Sequence, residues 1–544
     1  MRRGNVKFCE GIIILIVVSV FFTACNLSDK KIDNKINNKY SKEDWKADIT
    51  PITFDWYIDF SWFQTKWGTN PVSKYVTDKT GVSLNLITPS GDETEKLNAM
   101  IEAGKLPDFI TLSSQSDGYK RVIQNGLALP LDKLSEQYDT YFMKVADKQK
   151  LEWYREIDGH VYCYPNFSSP VRDFNDYKEE KPSNQAFLVR KDIYEALGKP
   201  DMRTPEGFLI ALERAKKEFP MVDGQELIPL GFHEFNDSGN LSLDSILPNF
   251  LAVPREENGR VYDKNIDNEY IRWLKTLRMA NEKGLLSKDT FIDKRAQIEE
   301  KITEGRYFAM LYQSSDMSTQ QLELYSRDKN KAYMAIAGPS NSKLDPPKLA
   351  GDSISGWTVT LISKSCKDPK RAMRFLSYLI SEEGNRDLYL GIKGSTWDVI
   401  DGKEQFKPEV IDLLNKDRIA FDNKYGAAST YWMLEDGDLI QKWTPDSEEA
   451  IRMISDWAKG KTYNYSLFDN VYTYDDSEEG VAFSRISTKW GSTLKKLLIA
   501  KNEEEFNSIL NEFIIYRKDQ GWDKLQKYAQ QKYEENKKKL NVLR

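Results

Sequence analysis

The hydrophobic positions of residues 97–112 predict a helix followed by a buried strand. Apolar side chains recur at helical spacing over 97–101, and Gly104 stands where a left-handed helix end is wanted. Residues 109–112 form a short apolar run of strand character, which a polar loop follows. Ligands bind at the carboxyl ends of strands in open α/β sheets, so this loop is a candidate binding site. Its candidate ligand-binding residues are Ser113, Ser114 and Asp117.

The same alternation of strand and helix begins earlier and continues later in the chain. Residues 51–60 predict an opening strand, 72–79 a short helix and 81–87 a second strand, which together favour a parallel sheet. Further on, 187–198 predict a strand that runs into a helix, and Thr204 with Pro205 marks the next helix start. The predicted fold class is therefore α/β. The roughly 490 residues after the N-terminal region exceed what one core usually holds, so two or three lobes are expected.

The N-terminal segment has the layout of a secretory signal. A basic start precedes the apolar run of residues 11–22, which is shorter than the roughly 20 residues that a membrane span needs. Small residues and Cys25 follow this run. Residues 26–50 are rich in Lys, Asn, Asp and Ser and cannot bury enough apolar surface to fold, so they predict a flexible tether.

Composition narrows the possible chemistry. The formal net charge is −6, and the acidic balance disfavours nucleic acid as a partner. His160 and His233 are the only histidines, and there is no H-E-x-x-H or paired-cysteine motif, so we expect no metal and no cofactor. Cys163 and Cys366 leave two states open, a bridge or two separate buried thiols, of which we expect the second.

Several phrases carry a family resemblance. Residues 96–108, K-L-N-A-M-I-E-A-G-K-L-P-D, resemble the "A-x-G-x-x-P-D" segment of extracellular solute-binding proteins of the sugar ABC transporter class. Residues 367–379 are similar to that class's "D-P-x-x-A-x-x-F-L" helix, and 389–397 to "G-I-E-G-x-x-W" in large oligosaccharide-binding lipoproteins of Gram-positive bacteria. The resemblance implies a two-lobed, periplasmic-binding-protein-like fold of type II with a cleft between the lobes. It places 51–165 and 335–395 in lobe I, and 166–334 and 396–544 in lobe II.

The resemblance also implies which residues face the cleft. The loop after the first strand gives Asp59, Ser61 and Trp62; the later phrases give Trp357 and Trp397. Tyr312 and Asp316 fall where the class often has a ligand-stacking tryptophan, and Trp432 lies beside acidic residues in a mixture suited to sugar. Core packing is the alternative for Trp62, Trp357 and Trp432.

By the same resemblance, F-T-A-C at 22–25 looks like a lipobox, although the class usually has Leu in place of Phe22. Residues 1–24 would then be a lipoprotein signal peptide, and Cys25 the acylated first residue of a tether over 25–50. The protein would sit on the extracellular face of the cell membrane, held by its lipid.

The predicted function is capture of an oligosaccharide and its delivery to an ABC transporter permease by a monomer without enzymatic activity. Two alternatives remain open. An extracellular glycosidase would need two carboxylates set across the scissile bond, and nothing in the sequence marks such a pair. A peptide-binding receptor of the same architecture would rely on backbone pairing more than on exposed aromatic faces.

Overall fold

Two separate β-sheets organise the chain in the computed structural model, which describes residues 44–90, 93–116, 118–170, 182–473, 475 and 477–543. The predicted signal peptide, Cys25 and most of the predicted tether lie outside the described residues. The strands of the two sheets, in chain order, are β1 (Ile52–Ile58), β2 (Val82–Ile87), β3 (Phe109–Ser113), β4 (Cys163–Pro165), β5 (Gln185–Arg190), β6 (Ile228–Gly231), β7 (Tyr307–Gln313), β8 (Tyr333–Ala335) and β9 (Thr358–Ile362).

The first sheet has the order β2-β1-β3-β9-β4. Strand β1 runs parallel to β2 and β3, as the alternation of strand and helix predicts, whereas β9 is antiparallel to β3 and β4. The second sheet has the order β8-β5-β7-β6, in which β7 is parallel to β6 and antiparallel to β5. The chain passes from one sheet to the other between β4 and β5, and returns between β8 and β9.

Helices cover the sheets. They are α1 (Pro71–Thr80), α2 (Glu93–Glu102), α3 (Gly118–Gln124), α4 (Leu131–Tyr138), α5 (Phe142–Val145), α6 (Lys148–Trp153), α7 (Lys191–Ala196), α8 (Pro205–Glu218), α9 (Leu247–Phe250), α10 (Asn268–Glu282), α11 (Arg295–Thr303), α12 (Ser318–Arg327), α13 (Pro369–Ile380), α14 (Glu382–Tyr389), α15 (Pro408–Lys416), α16 (Arg418–Lys424), α17 (Gly437–Gln441), α18 (Glu449–Ser455), α19 (Glu478–Ile499), α20 (Glu503–Asp519) and α21 (Trp522–Leu543). Short paired segments outside the two sheets are Met221–Val222 with Gln225–Glu226, Glu256–Glu257 with Arg260–Val261, Leu349–Ala350 with Thr462–Tyr463, and Trp397–Ile400 with Lys403–Phe406.

Local signals in the sequence explain several of these boundaries. Gly104, two residues beyond α2, has φ of 62°, the left-handed conformation that its position predicts. The side chain of Thr204 accepts a hydrogen bond from the amide of Gly207, and Pro205 is the first residue of α8, as predicted.

Each sheet has its own hydrophobic core. The first core is built around Phe54, Phe109 and Val359, and the second around Phe187, Leu230 and Phe308. The fold is therefore α/β with two lobes, as predicted. The predicted lobe boundaries stay a prediction. One long segment packs differently from that prediction: side chains between Trp397 and Trp443 pack in the first core, whereas the prediction assigns them to lobe II.

Cys163 and Cys366 are both buried and both free, as expected. Burial raises the pKa of the Cys366 thiol to about 12, which keeps it protonated and unreactive at neutral pH. Over the residues that the structure describes, no helix combines the length and the apolar character needed to cross a membrane.

Candidate functional site

Three predicted tryptophans meet at one edge of the first sheet. The ring centroids of Trp62 and Trp357 are 6.1 Å apart, those of Trp62 and Trp432 5.7 Å, and those of Trp357 and Trp432 4.4 Å. The rings of Trp62 and Trp357 are nearly parallel, with an interplanar angle of 10°. We call these three residues the tryptophan cluster. It assembles rings from three distant parts of the chain.

Exposure divides the cluster into a surface and a base. Trp62 is 44% exposed and Trp357 39% exposed, whereas Trp432 is only 6% exposed. Phe60 and Phe63 pack against Trp432 from the side, each with its ring centroid within 5.7 Å. Exposed tryptophan faces supported by packed aromatic rings are rigid platforms on which an apolar ligand face can stack.

Sheet topology brings the cluster together. Trp62 follows the carboxyl end of β1, and Trp357 directly precedes β9, which runs antiparallel to β3. The amide of buried Ser114, after β3, donates to the carbonyl of Trp357 over 3.0 Å, and its hydroxyl donates to the carbonyl of Gly356 over 2.7 Å. Ser114 thus anchors the loop that carries Trp357, and its predicted role in ligand binding stays a prediction.

Asn166 also holds the cluster in place, and sequence reasoning missed it. Its side chain is fully buried; the amide nitrogen donates to the carbonyl of Trp432 over 3.1 Å, and the amide oxygen accepts from the backbone nitrogen of Thr358 over 2.8 Å. Its backbone carbonyl accepts from the amide of Trp357 over 3.2 Å. Gly356 has φ of 68°, and a Cβ there would lie 2.2 Å from that carbonyl oxygen, so only glycine fits.

A cluster of polar and aromatic side chains lies on the second lobe. His233 follows β6, Tyr312 lies near the end of β7, and Asp316 follows β7. The rings of His233 and Tyr312 stack at 3.8 Å with an interplanar angle of 10°. His233 Nε2 lies 3.3 Å from a carboxylate oxygen of Asp316, and its Nδ1 lies 2.8 Å from the hydroxyl of Ser242. Burial raises the pKa of Tyr312, with the charge of Asp316 adding to the shift. Tyr312, which the sequence analysis proposed as a ligand-binding residue, is fully buried, and the ring of His233 stacks on it.

Arg295 connects the two lobes. Its guanidinium lies 5.8 Å from the ring centroid of Trp62, and one of its nitrogens lies 3.7 Å from Asp316. Its Nε donates to Glu299 over 2.7 Å. Arg295 therefore places Asp316 and its neighbours beside the tryptophan cluster. Arg295 begins α11, and no sequence signal distinguished it from other helix-starting arginines.

The remaining predicted residues are spread more widely. Asp59 is half-buried and accepts a hydrogen bond from the Tyr57 hydroxyl over 2.6 Å, close to Trp62 in the chain. Ser61 is half-buried, and its carbonyl accepts from the side chain of Gln64 over 2.6 Å. The hydroxyl of Ser113 accepts from the amide of Gln115 over 3.2 Å. Asp117 lies outside the described residues.

The contacts of Trp397 are with residues outside the tryptophan cluster. It is 5% exposed, and its indole nitrogen donates to the carbonyl of Gly391 over 3.0 Å. The charged groups over its ring belong to Arg386 and Lys393, at 5.7 Å and 5.6 Å. A ligand-binding role for Trp397 stays a prediction. Among the residues that the structure describes, no group of three or more His, Cys, Asp or Glu side chains is placed to hold a metal ion.

Comparison with known families and proteins agrees with this geometry. The sequence profile of the family described as bacterial extracellular solute-binding proteins matches residues 72–396, more than half of the chain. A fructooligosaccharide ABC transporter substrate-binding protein of Streptococcus pneumoniae is 28% identical over 39% of this chain and 40% of that protein. A polygalacturonan/rhamnogalacturonan-binding protein of Bacillus subtilis is 21% identical over 77% of this chain and 84% of that protein. The chain thus matches less than half the length of the first of these relatives.

Solved structures share the fold. An alginate-binding protein superposes with a TM-score of 0.67 at 20% identity, covering 91% of this chain and all of the other. The Streptococcus pneumoniae substrate-binding protein in complex with kestose also gives 0.67, at 16% identity over 89% of this chain and 99% of the other. The two-lobed architecture and the matching family profile lead to one conclusion: this chain belongs to the family of bacterial extracellular solute-binding proteins.

Proposed function

We propose that this protein is a lipid-anchored receptor that captures an oligosaccharide between its lobes and delivers it to an ABC transporter permease. The observation that carries the proposal is the tryptophan cluster, with two exposed rings, of which Trp62 lies near Arg295 of the second lobe. Sugar rings offer apolar C–H faces that stack on tryptophan and hydroxyl groups that pair with polar side chains. The relatives named above, which bind oligosaccharides or polysaccharides, support this class of ligand.

The charges near the gap favour a neutral sugar. The carboxylates of Asp316, Glu299 and Glu234 all act on Tyr312, whereas Arg295 is the cation acting on it. Arg295 is already paired with Glu299 and lies near Asp316. An incoming uronate would therefore add negative charge to a region where the nearby guanidinium is committed, which costs binding free energy. A neutral oligosaccharide meets no such penalty.

Closure of the lobes is the proposed binding event. A sugar that stacks on Trp62 and Trp357 would reach Arg295 and Asp316 on the opposite lobe, so ligand contacts with both sides favour the closed arrangement. Burying one large apolar side chain contributes roughly 1.5–3 kcal/mol to the free energy of binding. Two tryptophan rings together with hydrogen bonds can therefore give micromolar affinity, a binding free energy of about −8 kcal/mol. Binding occurs without hydrolysis, in keeping with a family of binding proteins.

Calorimetry with the full chain tests the sugar-binding proposal. We expect saturable binding of at least one neutral oligosaccharide from a panel of fructo-, manno-, gluco- and galacto-oligosaccharides, with loss of affinity in Trp62→Ala. Ile157→Ala is the matched control, because Ile157 is fully exposed and distant in sequence from every cluster residue. Absence of binding across this neutral panel would overturn the proposal. Release of reducing ends that persists through repurification would overturn the absence of hydrolysis.

Anchoring is tested separately. The F-T-A-C motif supports acylation of Cys25, by palmitate and related acyl chains, after removal of the signal peptide. Cys25→Ser is expected to move the protein from the membrane fraction to the medium, with Cys163→Ser as the matched cysteine control. Retention of Cys25→Ser in the membrane fraction would contradict the anchor.

A further inference from the structure

A second cavity lies within lobe II, away from the tryptophan cluster. It has a volume of about 470 Å³, within the range of small-molecule sites. One wall comes from residues 236–265, between β6 and α10, and the other from residues 468–490 and Trp522. None of the residues of the tryptophan cluster, nor Arg295 or Asp316, lines it. The cavity is therefore a distinct space with its own chemistry.

Aromatic side chains form much of the cavity wall. The rings of Tyr472 and Phe483 stack at 4.8 Å with an interplanar angle of 9°. The indole nitrogen of Trp490 donates to Asp244 over 2.6 Å, which fixes the orientation of that ring. The aromatic residues that line the cavity are Tyr262, Phe468, Tyr472, Phe483, Trp490 and Trp522. Such a wall suits a ligand that has an apolar ring face.

The acidic groups of the cavity already have partners. Asp244 accepts from Trp490, and its second oxygen accepts from the amide of Asn240 over 2.8 Å. Lys264 lies 3.7 Å from the same carboxylate. Asp263 is paired with Arg517 at 2.7 Å. These carboxylates are thus used inside the protein and are not available to bind a cation.

Arg255 is the cavity's uncompensated charge. Its guanidinium lies 4.7 Å from the ring centroid of Tyr465 and donates to the amide oxygen of Asn249 over 2.9 Å. Over the described residues, no carboxylate lies within ion-pair distance of it, and Asp469 acts on it only from farther away. Burial lowers the pKa of Arg255, because removing the charged guanidinium from water is unfavourable. A guanidinium has five N–H donors in a fork that matches a carboxylate, and those that Asn249 and Tyr465 do not use remain for a ligand.

We infer that this cavity is a second ligand site, which binds a sugar acid through Arg255. The carboxylate of the ligand pairs with the Arg255 guanidinium, and its ring lies against the aromatic wall. The cavity is lined by none of the residues proposed to bind oligosaccharide at the tryptophan cluster, so this inference does not depend on the proposed function. The predicted preferences are opposite: neutral sugar in the cleft, anionic sugar in the cavity.

Titration calorimetry of the full chain with D-galacturonate, with D-galactose and with inorganic phosphate tests the inference. Galacturonate should bind saturably and at least tenfold more tightly than the other two, because it alone offers both the charge and the ring. Arg255→Met should weaken galacturonate binding at least tenfold. Arg260→Gln is the matched control, since Arg260 is exposed on the neighbouring strand pair, and it should leave binding unchanged.

Further variants separate misfolding and the cleft from the cavity. Arg255→Lys keeps the charge and should retain part of the affinity, and thermal unfolding of each variant checks that it is folded. Trp357→Ala should weaken oligosaccharide binding while galacturonate still binds. Three results would overturn the inference: no galacturonate binding, binding equally strong in Arg255→Met, or binding lost in Trp357→Ala. Phosphate binding as tight as galacturonate would overturn the assignment to a sugar acid.

Discussion

The side-chain amide of Asn166 donates a hydrogen bond to the backbone carbonyl of Trp432 over 3.1 Å, across a sequence separation of 266 residues. The same amide group accepts from the backbone nitrogen of Thr358, next to Trp357. One buried side chain therefore sets the distance between two members of the tryptophan cluster. Its shape and hydrogen-bonding pattern are part of the site, although it offers no surface to a ligand.

Replacing Asn166 with Ala should destabilise the protein and loosen the cluster. The amide of Thr358 would lose the side-chain acceptor of Asn166, at about 1–3 kcal/mol, whereas the carbonyl of Trp432 would keep its second hydrogen bond, from the amide of Glu435. Chemical denaturation measures the loss in free energy of unfolding, and near-ultraviolet circular dichroism reports the change around the tryptophans. Asn85→Ala is the control, because the Asn85 side chain makes an exposed hydrogen bond to Asp55, and it should change stability by less than about 0.5 kcal/mol. Equal stability of the two variants would contradict this role.

Exposure predicts different effects for the three tryptophans. Trp62→Ala and Trp357→Ala should reduce oligosaccharide affinity tenfold or more, about 1.4 kcal/mol, with small changes in melting temperature. Trp432→Ala removes a nearly buried ring and should cost about 3–5 kcal/mol of stability. Calorimetry and thermal unfolding on the same samples distinguish the two effects. A large drop in melting temperature with intact affinity in Trp62→Ala would assign that residue to packing.

Glu435 predicts a pH dependence of stability. Burial raises the pKa of its carboxyl to about 7, against the opposing effects of Ser429 and Arg418. In the unfolded chain the group titrates near its ordinary value of 4.5, so between about 4.5 and 7 the folded state binds the extra proton. Stability from this group is therefore fully present below pH 4.5 and is lost as pH rises towards 7, by about 3 kcal/mol in total.

Glu435→Gln isolates this contribution. Burial also raises the pKa of Asp469, to about 6, so Asp469 contributes a loss with the same sign but over a lower range. The variant should therefore lower the slope throughout pH 4.5 to 7, most visibly between pH 6 and 7 where Asp469 no longer contributes, and at pH 8 it should be more stable than the wild type. Urea denaturation at closely spaced pH values measures both. An unchanged slope between pH 6 and 7 would show that Glu435 is ionised in the folded protein.

The buried ion pair between Lys150 and Asp436 gives a further prediction. The two groups lie 2.7 Å apart, and Lys150 is 1% exposed. Burial acts to lower the pKa of Lys150, but the charge of Asp436 and its other neighbours outweigh it, so the pKa is raised. Lys150→Met would leave Asp436 without its cation and should cost about 3–5 kcal/mol, measured by chemical denaturation.

Lys133→Met provides the matched control. Lys133 pairs with Glu136 at 3.1 Å, one turn along an exposed helix face. Exposed pairs of this kind contribute about 0–1 kcal/mol, so this variant should be close to wild type. If both lysine variants lose the same free energy of unfolding, burial is not what gives the Lys150 pair its importance.

Local patterns in the sequence were sufficient for much of the first lobe. The apolar run at 109–112, the glycine at 104 and the polar loop beyond them predicted β3 and its surroundings, because these signals act within a few residues. The resemblance to a family supplied Trp62 and Trp357 as candidates. Both lie in the cluster, and their role in binding stays a prediction.

The parts that sequence reasoning missed depend on contacts between distant residues. Arg295 reaches Trp62 and Asn166 reaches Trp432 only after both sheets are formed, and neither residue type is unusual at its position. His233 is one of two histidines and could have been considered on rarity alone, but its stacking on Tyr312 follows from the adjacent, parallel strands β6 and β7. The neighbouring sequence does not show that Trp432 joins the tryptophan cluster and Trp397 does not. The indole of Trp397 donates instead to Gly391, six residues earlier in the chain.

The tryptophan cluster has a consequence for how the protein acquires its activity. Its three rings come from positions 62, 357 and 432, so the last of them is synthesised long after the first. Contacts between such distant residues form slowly, because a long loop must close before they can be made. A chain interrupted before Trp432 leaves Asn166 without its acceptor and the two exposed rings without their base. If the cluster binds a ligand as proposed, the chain becomes competent to bind only when the segment that carries Trp432 has folded back onto the first sheet.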